Sequence, residues 1–377
     1  MPRVDASLIS SKGTMKIQTL VNIAQSKIAA LRYPYCRTKA KVSRKKSKIK
    51  LVAIAKNEAA YLPEWIYHHL YFGFDKIEIF YNGCTDNTVK LAEQFNDERV
   101  KFINADPIFS KSKISPQMDI YRPQFAKSRA EGFDHIMFLD IDEFWIPFDL
   151  RTTIKEYINS SPYFDSMCFQ WANKVDEVVQ FARAIMPSIS VEPARQLKSI
   201  HKTFITPGLM NPHNVIDNSL IRKFSDGNPF EPSNEHHSMA PSASLPNRAF
   251  ILHRKYRSQV EYVALLGRGR PIGPEKAVSE FKNNREGYYI KNNAQEVAFE
   301  NTSYQTYNKY MTENLNRGHI SHLLDEARTM VVNRYSDVIE AVRNASKDEL
   351  PVLNRILRHV DIADVQQAFE EYKKRIS

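Results

Sequence analysis

Ile136-Met-Phe-Leu-Asp-Ile-Asp-Glu-Phe144 joins four wholly apolar residues to a cluster of acids. A short apolar run bounded by polar residues reads as a buried strand, which places Asp140, Asp142 and Glu143 at or just past its carboxyl end. Carboxylates gathered beside a core need a compensating cation, and hard oxygen ligands suit Mg²⁺ or Mn²⁺, ions that keep waters and bridge the phosphates of a nucleotide. Upstream, Leu51-Val-Ala-Ile-Ala55, Ile77-Glu-Ile-Phe-Tyr81 and Val100-Lys-Phe-Ile103 repeat the apolar run. The helical stretches Ala59 to Phe72, Asp86 to Phe95 and Met118 to Gly132 separate them. Strands alternating with helices predict an α/β protein with a parallel, doubly wound sheet.

Ligands of such sheets bind beyond the carboxyl ends of the strands. Those positions hold Lys56-Asn57-Glu58, the turn Asn82-Gly-Cys-Thr-Asp-Asn-Thr88, and the acids from Asp140 onward. Gly83 supplies backbone freedom for the turn, and Thr85 is placed to cap the helix that follows. The first two loops lie on neighbouring strands and together predict a pocket for a base and ribose.

Outward from this core the pattern loosens. Asp165 to Trp171 and Lys198 to Ile205 read as strands, Pro207 to Asn247 is rich in Pro, Asn and His, and the chain from Ser258 onward is mostly helical, most clearly at Leu323 to Val342 and Val365 to Lys374. At the other end, Ile17, Leu20, Val21, Ala24, Ile28 and Leu31 recur at helical spacing, and eight basic residues without an acid follow between Arg37 and Lys50. That run is expected to repel itself and act as a mobile tether. The 53 basic and 43 acidic residues of the 377-residue chain give +10, but 13 basic residues against Asp5 put +12 in residues 1–50 and leave −2 for the rest. The basic character therefore speaks of a partner surface, an anionic membrane being the natural one. A solvated tail with its helix docked on the domain fits the same residues.

Cys36, Cys84 and Cys168 are odd in number and far apart, which excludes a disulfide framework and CxxC metal chemistry. No apolar run reaches the length of a membrane span. These features predict a cytoplasmic protein, held peripherally at the inner face of the cytoplasmic membrane.

Ala55-Lys-Asn-Glu58, Trp65-Ile-Tyr-His-His69 with Gly73, Asn82 to Thr88, and Phe138-Leu-Asp-Ile-Asp-Glu-Phe144 occur in this order, followed by His253-Arg-Lys-Tyr-Arg-Ser258, Glu261-Tyr262 and Arg268-Gly-Arg270. The set resembles family 2-type glycosyltransferases, in particular the bacterial subgroup related to the DUF23/family 92 enzymes, over Lys50 to Pro271. Tyr81 stands where relatives commonly carry an acid, Cys84 where they carry Ser, and Lys255 and Arg257 depart from the usual spacing of the basic residue after the histidine. The resemblance implies a GT-A-type doubly wound mixed sheet with flanking helices and a helical C-terminal region. It divides the chain into a basic extension over 1–49, a glycosyltransferase domain over 50–272 and a helical region over 273–377. It also implies a nucleoside-diphosphate sugar donor, a UDP-sugar by preference, inversion at the anomeric carbon, and a glycan or lipid-linked glycan acceptor in cell-surface polysaccharide or lipopolysaccharide synthesis. Carried over by position, Asp140 and Asp142 hold the metal and the diphosphate, while Lys56, Asn57, Glu58, Asn82 and Asp86 line the nucleotide pocket.

His253 is the first candidate for a third metal ligand, with His213 next and His236-His237 behind it. Lys198 and Arg268 are candidates for charge-assisted contacts to the diphosphate. Transfer also needs a base for the acceptor proton. Asp142 and Glu143 are the nearest catalytic candidates, with Asp176, Glu177, Glu231 and Glu235 as alternatives. A nucleotidyl- or phosphotransferase could use the same acids, although no GxxxxGK[ST] loop occurs. A nucleic-acid-binding protein built on the basic N-terminus would leave the acids unexplained, so no specific nucleic acid is expected.

Overall fold

The computed structural model describes residues 19–42, 47–112, 115–245, 248–268, 279–289 and 293–377. Two N-terminal helices, α1 over 19–30 and α2 (Tyr33–Val42), precede the sheet. Then come β1 (Ile49–Ala55), α3 (Leu62–Tyr71), β2 (Lys76–Tyr81), α4 (Thr88–Gln94), β3 (Val100–Asn104), α5 (Asp106–Lys111), α6 (Pro116–Ala130) and β4 (His135–Phe138). The middle of the chain adds β5 (Glu143–Pro147), α7 (Ile154–Asn159), β6 (Ser166–Val175), β7 (Ser188–Lys202), the hairpin of β8 (Leu209–Met210) and β9 (Val215–Ile216), β10 (Arg222–Phe224) and β11 (Ala249–His253). The remainder is α8 (Gln259–Leu266), β12 (Gln295–Ala298), α9 (Asn301–Leu315), α10 (Gly318–Asn344), α11 (Leu350–Ile356) and α12 (Ala363–Ile376).

The sheet runs β3-β2-β1-β4-β7-β6-β11-β5, with β10 beside β6 and β12 beside β7. Only the first four strands form the expected parallel set. β7 enters antiparallel to both β4 and β6, and β11 runs parallel to β6 but antiparallel to β5. The fold is therefore α/β with a mixed sheet, flanking helices and a helical C-terminal region.

Residue alternation along β1 explains the layers. Leu51, Ala53 and Ala55 face a core shared with Trp65 and Ile66 of α3, Ile154 of α7, Tyr307 of α9 and Leu323 of α10. Val52 faces the opposite layer with Ile120, Tyr121 and Phe125 of α6 and Tyr33 of α2. A boundary near residue 272 thus does not divide the core. β12 pairs with β7, and α9 and the first half of α10 close the main hydrophobic cluster. A second cluster joins Tyr262 and Leu266 of α8 to Val338, Leu353, Ile356 and Tyr372.

In the N-terminal segment the helix is docked on the domain, one of the two readings of the sequence, while the ends of the basic run depart from the expected tether. Tyr33 is buried, and a Cβ on Gly208 would lie 2.7 Å from the Ser26 Cβ, so α1 is seated closely on the domain. Arg37 Nε donates to Asp165 Oδ2 at 3.0 Å. Lys50 is fully buried in β1, 3.0 Å from Glu78 and 2.8 Å from Glu131. Carboxylates of the body neutralise the ends of the basic run, which is why Arg37 and Lys50 are ordered parts of the fold and not a tether. Residues 1–18 and 43–46 lie outside the described residues.

Several histidines are buried with no charged form to support. Burial pushes His201 and His68 down to about 3, and burial together with Lys202 pushes His135 well below the ordinary 6.5. A folded value below the unfolded one favours the native state above the unfolded value, and that advantage is lost as pH falls through it. Stability is expected to fall progressively from about pH 6.5 towards pH 3. Neither ring nitrogen of His135 has a hydrogen-bond partner, so His135→Leu should raise Tm and flatten its decline with acid, the gain at neutral pH being about 1 kcal/mol. A pH profile of Tm identical to that of the parent protein would contradict this.

Candidate functional site

β1 and β2 end side by side, and their loops are tied to each other. Asn57, at φ +54°, accepts from the Thr85 and Asp86 amides at 2.7 and 3.2 Å and donates to Thr85 Oγ1 at 3.1 Å. Asp86 accepts from the Ala59 amide at 3.0 Å, and from the amide and hydroxyl of Thr88 at 3.0 and 2.6 Å. Asn57 and Asp86, expected in the nucleotide pocket, instead spend their polar atoms joining its two walls, and Asp86 rather than Thr85 secures the start of α4. Gly83 adopts φ +51°, where an added Cβ would meet Lys56 Nζ at 3.6 Å. Asn82 fits the expectation better, since its buried Oδ1 has no hydrogen-bond partner. Lys56 and Asn82 thus flank the opening between the two loops.

The acids past β4 divide between two environments. Lys198, buried in the middle of β7, lies 3.0 Å from Asp140 Oδ2 and 3.1 Å from Glu143 Oε2. Burial alone would strip its proton, but Asp140 and then Glu143 hold it charged. Glu143 is wholly enclosed and receives the Asp140 amide at 2.8 Å; burial pushes its carboxyl up and Lys198 beside it opposes that rise. The cation that the clustered acids demanded is therefore supplied in part by the chain. This corrects two expectations: Lys198 is committed to the acids and not offered to a diphosphate, and Glu143 cannot meet an acceptor hydroxyl. Asp140 keeps 42% of its side chain exposed.

Asp142 has different neighbours. Its Oδ2 lies 3.7 Å from His253 Nε2 and 3.9 Å from Arg285. Burial would raise its pKa, but His253, Arg257 and Arg285 outweigh it and hold the carboxyl well below the usual range. His253, at the end of β11, is kept neutral chiefly by burial. Its Nδ1 faces Asn173 Oδ1 at 3.1 Å and its Nε2 faces Asp142, so the ring proton has an oxygen to meet on either side. The imidazole nitrogen and the carboxylate oxygen are 3.7 Å apart. Among the described residues no three His, Cys, Asp or Glu side chains converge as a complete metal cage. Asp142 and His253 are the residues that would hold a divalent cation here, with its remaining ligands coming from outside the chain. Asp140, expected as a co-ligand, is turned to Lys198.

Around this pair the chain gathers positive charge. Arg257, at φ +58° just past β11, lies over the Tyr61 ring at 3.4 Å and 3.4 Å from Glu58 Oε2. Arg268 pairs with the same Glu58, which is thereby a clamp for guanidiniums and not a free ribose acceptor. Lys282 and Arg285 complete the group, both buried. Burial, then Arg268 and Arg285, push Lys282 well below its ordinary value, and burial with Arg285 and Arg334 brings Arg268 down to about 9. The Nε atoms of Arg257, Arg268 and Arg285 are buried without partners. Arg257, Arg268 and Arg285 against Glu58 and Asp142 leave one buried positive charge in excess and, adding to burial, strip the proton from Lys282 beside them, and such charge is stable only when an anion answers it.

Lys282 and Arg285 arrive on segment 279–289, which is pinned from both sides. The Lys282 amide bonds to Leu266 O at 2.7 Å and the Tyr288 amide to Arg358 O at 2.8 Å. Tyr288 Oη donates to Arg257 O at 2.8 Å, and Arg355 donates to Asn283 O at 2.7 Å. Gly287, at φ +108°, has room for no Cβ, which would come within 2.7 Å of Arg358 O. Nothing in the sequence marks Lys282 or Arg285, because the segment has no periodicity and its contacts are non-local.

Trp171 of β6 is a second residue without a sequence signal. Its ring lies 4.1 Å from that of His253 and 5.3 Å from that of His213. His213 bonds through Nδ1 to Leu197 O at 2.9 Å, and burial with Lys198 lowers it to about 4. It therefore borders the acids as expected but does not share Asp142 with His253. Glu177 is buried against Arg254 and Lys174, which removes it as a base. Asp176, Glu231 and Glu235 are exposed, and His236 faces Glu235 at 3.5 Å. Arg270 lies outside the described residues.

No protein-family model matches this chain, and no curated protein matches it. Among solved structures, the chain is similar to one described as a mycobacterial protein, at 14% identity and a TM-score of 0.25 over 34% of this chain. It is also similar to HddC from Yersinia pseudotuberculosis, at 12% identity and a TM-score of 0.28 over 46% of this chain and 88% of that one. The match spans 42% of the mycobacterial protein's length.

Proposed function

We propose that this chain is a metal-dependent inverting glycosyltransferase that takes its sugar from a nucleoside diphosphate sugar and delivers it to an acceptor glycan. The observation that carries the reading is the cluster of buried guanidiniums, Arg257, Arg268 and Arg285, with Lys282 among them, beside Asp142 and His253. A diphosphate is the anion that matches several guanidiniums and a divalent ion together. Asn82 and Lys56, at the neighbouring strand ends, are placed for the nucleoside. When bound between Asp142 and His253, Mn²⁺ or Mg²⁺ supplies Lewis-acid neutralisation of the leaving diphosphate. Arg257, Arg268 and Arg285 hold that diphosphate as the bond between it and the anomeric carbon breaks. The acceptor oxygen bonds to the same carbon from the opposite face and gives its proton to water. Lys198 and Glu143 position the Asp140 loop under this chemistry. Trp171 and His213 border the side on which a sugar ring would lie.

The test is turnover of a panel of nucleotide sugars, read as release of nucleoside diphosphate with and without Mn²⁺. Release is expected only with the metal. Arg285→Ala should raise KM for the donor about 10- to 100-fold, the loss of one charge-assisted contact. Full turnover in excess EDTA would end the metal-dependent reading. Pyrophosphate release from a nucleoside triphosphate would point to nucleotidyl transfer.

A further inference from the structure

α1 and the start of α2 present apolar residues on two opposite faces, and the domain covers one of them. Ser26 and Tyr33 are buried and Ala29 and Ala30 pack on the cluster that includes Ile205, Met210 and Val215. On the other face Leu20 is 63% exposed, Val21 42%, Ile28 64%, Leu31 82% and Tyr35 73%. At about 100° per residue Leu20, Val21, Ala24 and Ile28 fall within an arc of about 100° on α1, and Leu31 and Tyr35 continue the exposed apolar surface past its end. Single exposed apolar residues are ordinary, whereas a continuous stripe marks a contact surface.

Charge says what kind of contact. Residues 19–42 contain no acid, Lys27 and Arg32 flank the stripe, and the first fifty residues carry +12. Next to the stripe, Ile28, Tyr33, Phe204, Arg32 and Arg129 line an open groove of about 620 Å³. A second copy of the chain would bring like charge against like charge. A surface of lipid phosphates brings the opposite sign together with an apolar layer for the stripe. No described helix is long and apolar enough to cross a membrane, so the geometry is that of a helix lying in the interface.

We propose that this face docks on an anionic lipid bilayer, with Leu20, Ile28, Leu31 and Tyr35 entering the headgroup boundary and Lys27 and Arg32 meeting lipid phosphates. Deleting residues 1–49 is not a usable test, because Tyr33, Arg37 and Ile49 belong to the folded body. The test is flotation of the full chain with vesicles of phosphatidylcholine, with and without phosphatidylglycerol. The parent protein should float with the anionic vesicles and separate from them as salt rises. Ile28→Glu with Leu31→Glu changes two exposed side chains, so Tm should stay unchanged while partitioning falls on the order of tenfold or more. Lys27→Gln and Arg32→Gln should each weaken partitioning about fivefold. Flotation of the double Glu variant equal to the parent, or no flotation of the parent, would overturn the proposal. So would sedimentation showing a dimer that the same two substitutions dissociate.

Discussion

Asp142→Asn is expected to lower donor turnover by a factor on the order of 10³, because it removes the one carboxylate that faces both His253 and Arg285. The accompanying change in stability is the sharper test of the site. If Asp142 sat among other acids, neutralising it would relieve repulsion and raise Tm. Its surroundings are instead His253, Arg257 and Arg285, which hold its carboxyl below the usual range against burial. A depressed folded value means that the ionised group stabilises the native state above the unfolded value of about 3.9, and that this contribution is lost as pH falls. Asp142→Asn should therefore lower Tm at neutral pH, and the gap should narrow in acid. A variant more stable than the parent at neutral pH would show that cations do not dominate at Asp142, and unchanged turnover would remove it from the chemistry.

Lys198→Met is expected to cost about 3 kcal/mol or more of stability, a large share of what a domain possesses. The loss comes from what remains: Asp140 can still reach water, but Glu143 is fully enclosed and would lose the charge that opposes its protonation. Glu143→Gln combined with Lys198→Met should recover much of the loss, because a neutral amide replaces the stranded carboxylate. Thermal denaturation of the four proteins of this cycle measures the coupling. Simple additivity would mean that Lys198 and Glu143 do not stabilise each other.

The first half of the sheet was legible because its strands are short apolar runs between helices of ordinary length. β1 to β4, α3, α4 and α6 lie where periodicity places them. β5 was not, since Glu143-Phe-Trp-Ile-Pro147 follows the acids at once and reads as the tail of their loop. The antiparallel insertion of β7 was also hidden, because strand direction depends on partners far along the chain. In the site, the position of the acids beyond β4 was legible and their counter-charges were not. Proximity of Asp140, Asp142 and Glu143 in sequence suggested one shared metal, whereas Lys198 from β7 serves two of them and His253 from β11 the third. Asn57 and Asp86 show the same limit: residue type and position predicted ligand contacts, but each had a partner on the opposite loop.

Segment 279–289 carries Lys282 and Arg285 and is held by Arg355 and Arg358 at the end of α11. During synthesis the carboxylates past β4 leave the ribosome first, the guanidiniums next, and the residues that clamp them last. A growing chain can close its parallel strands long before its anion pocket exists. Premature termination between β12 and α11 would leave a chain with Asp142, His253 and most of the main core, yet unable to hold Arg285 in place. Such a chain would be inert through loss of a clamp and not through loss of any group that touches the reacting atoms.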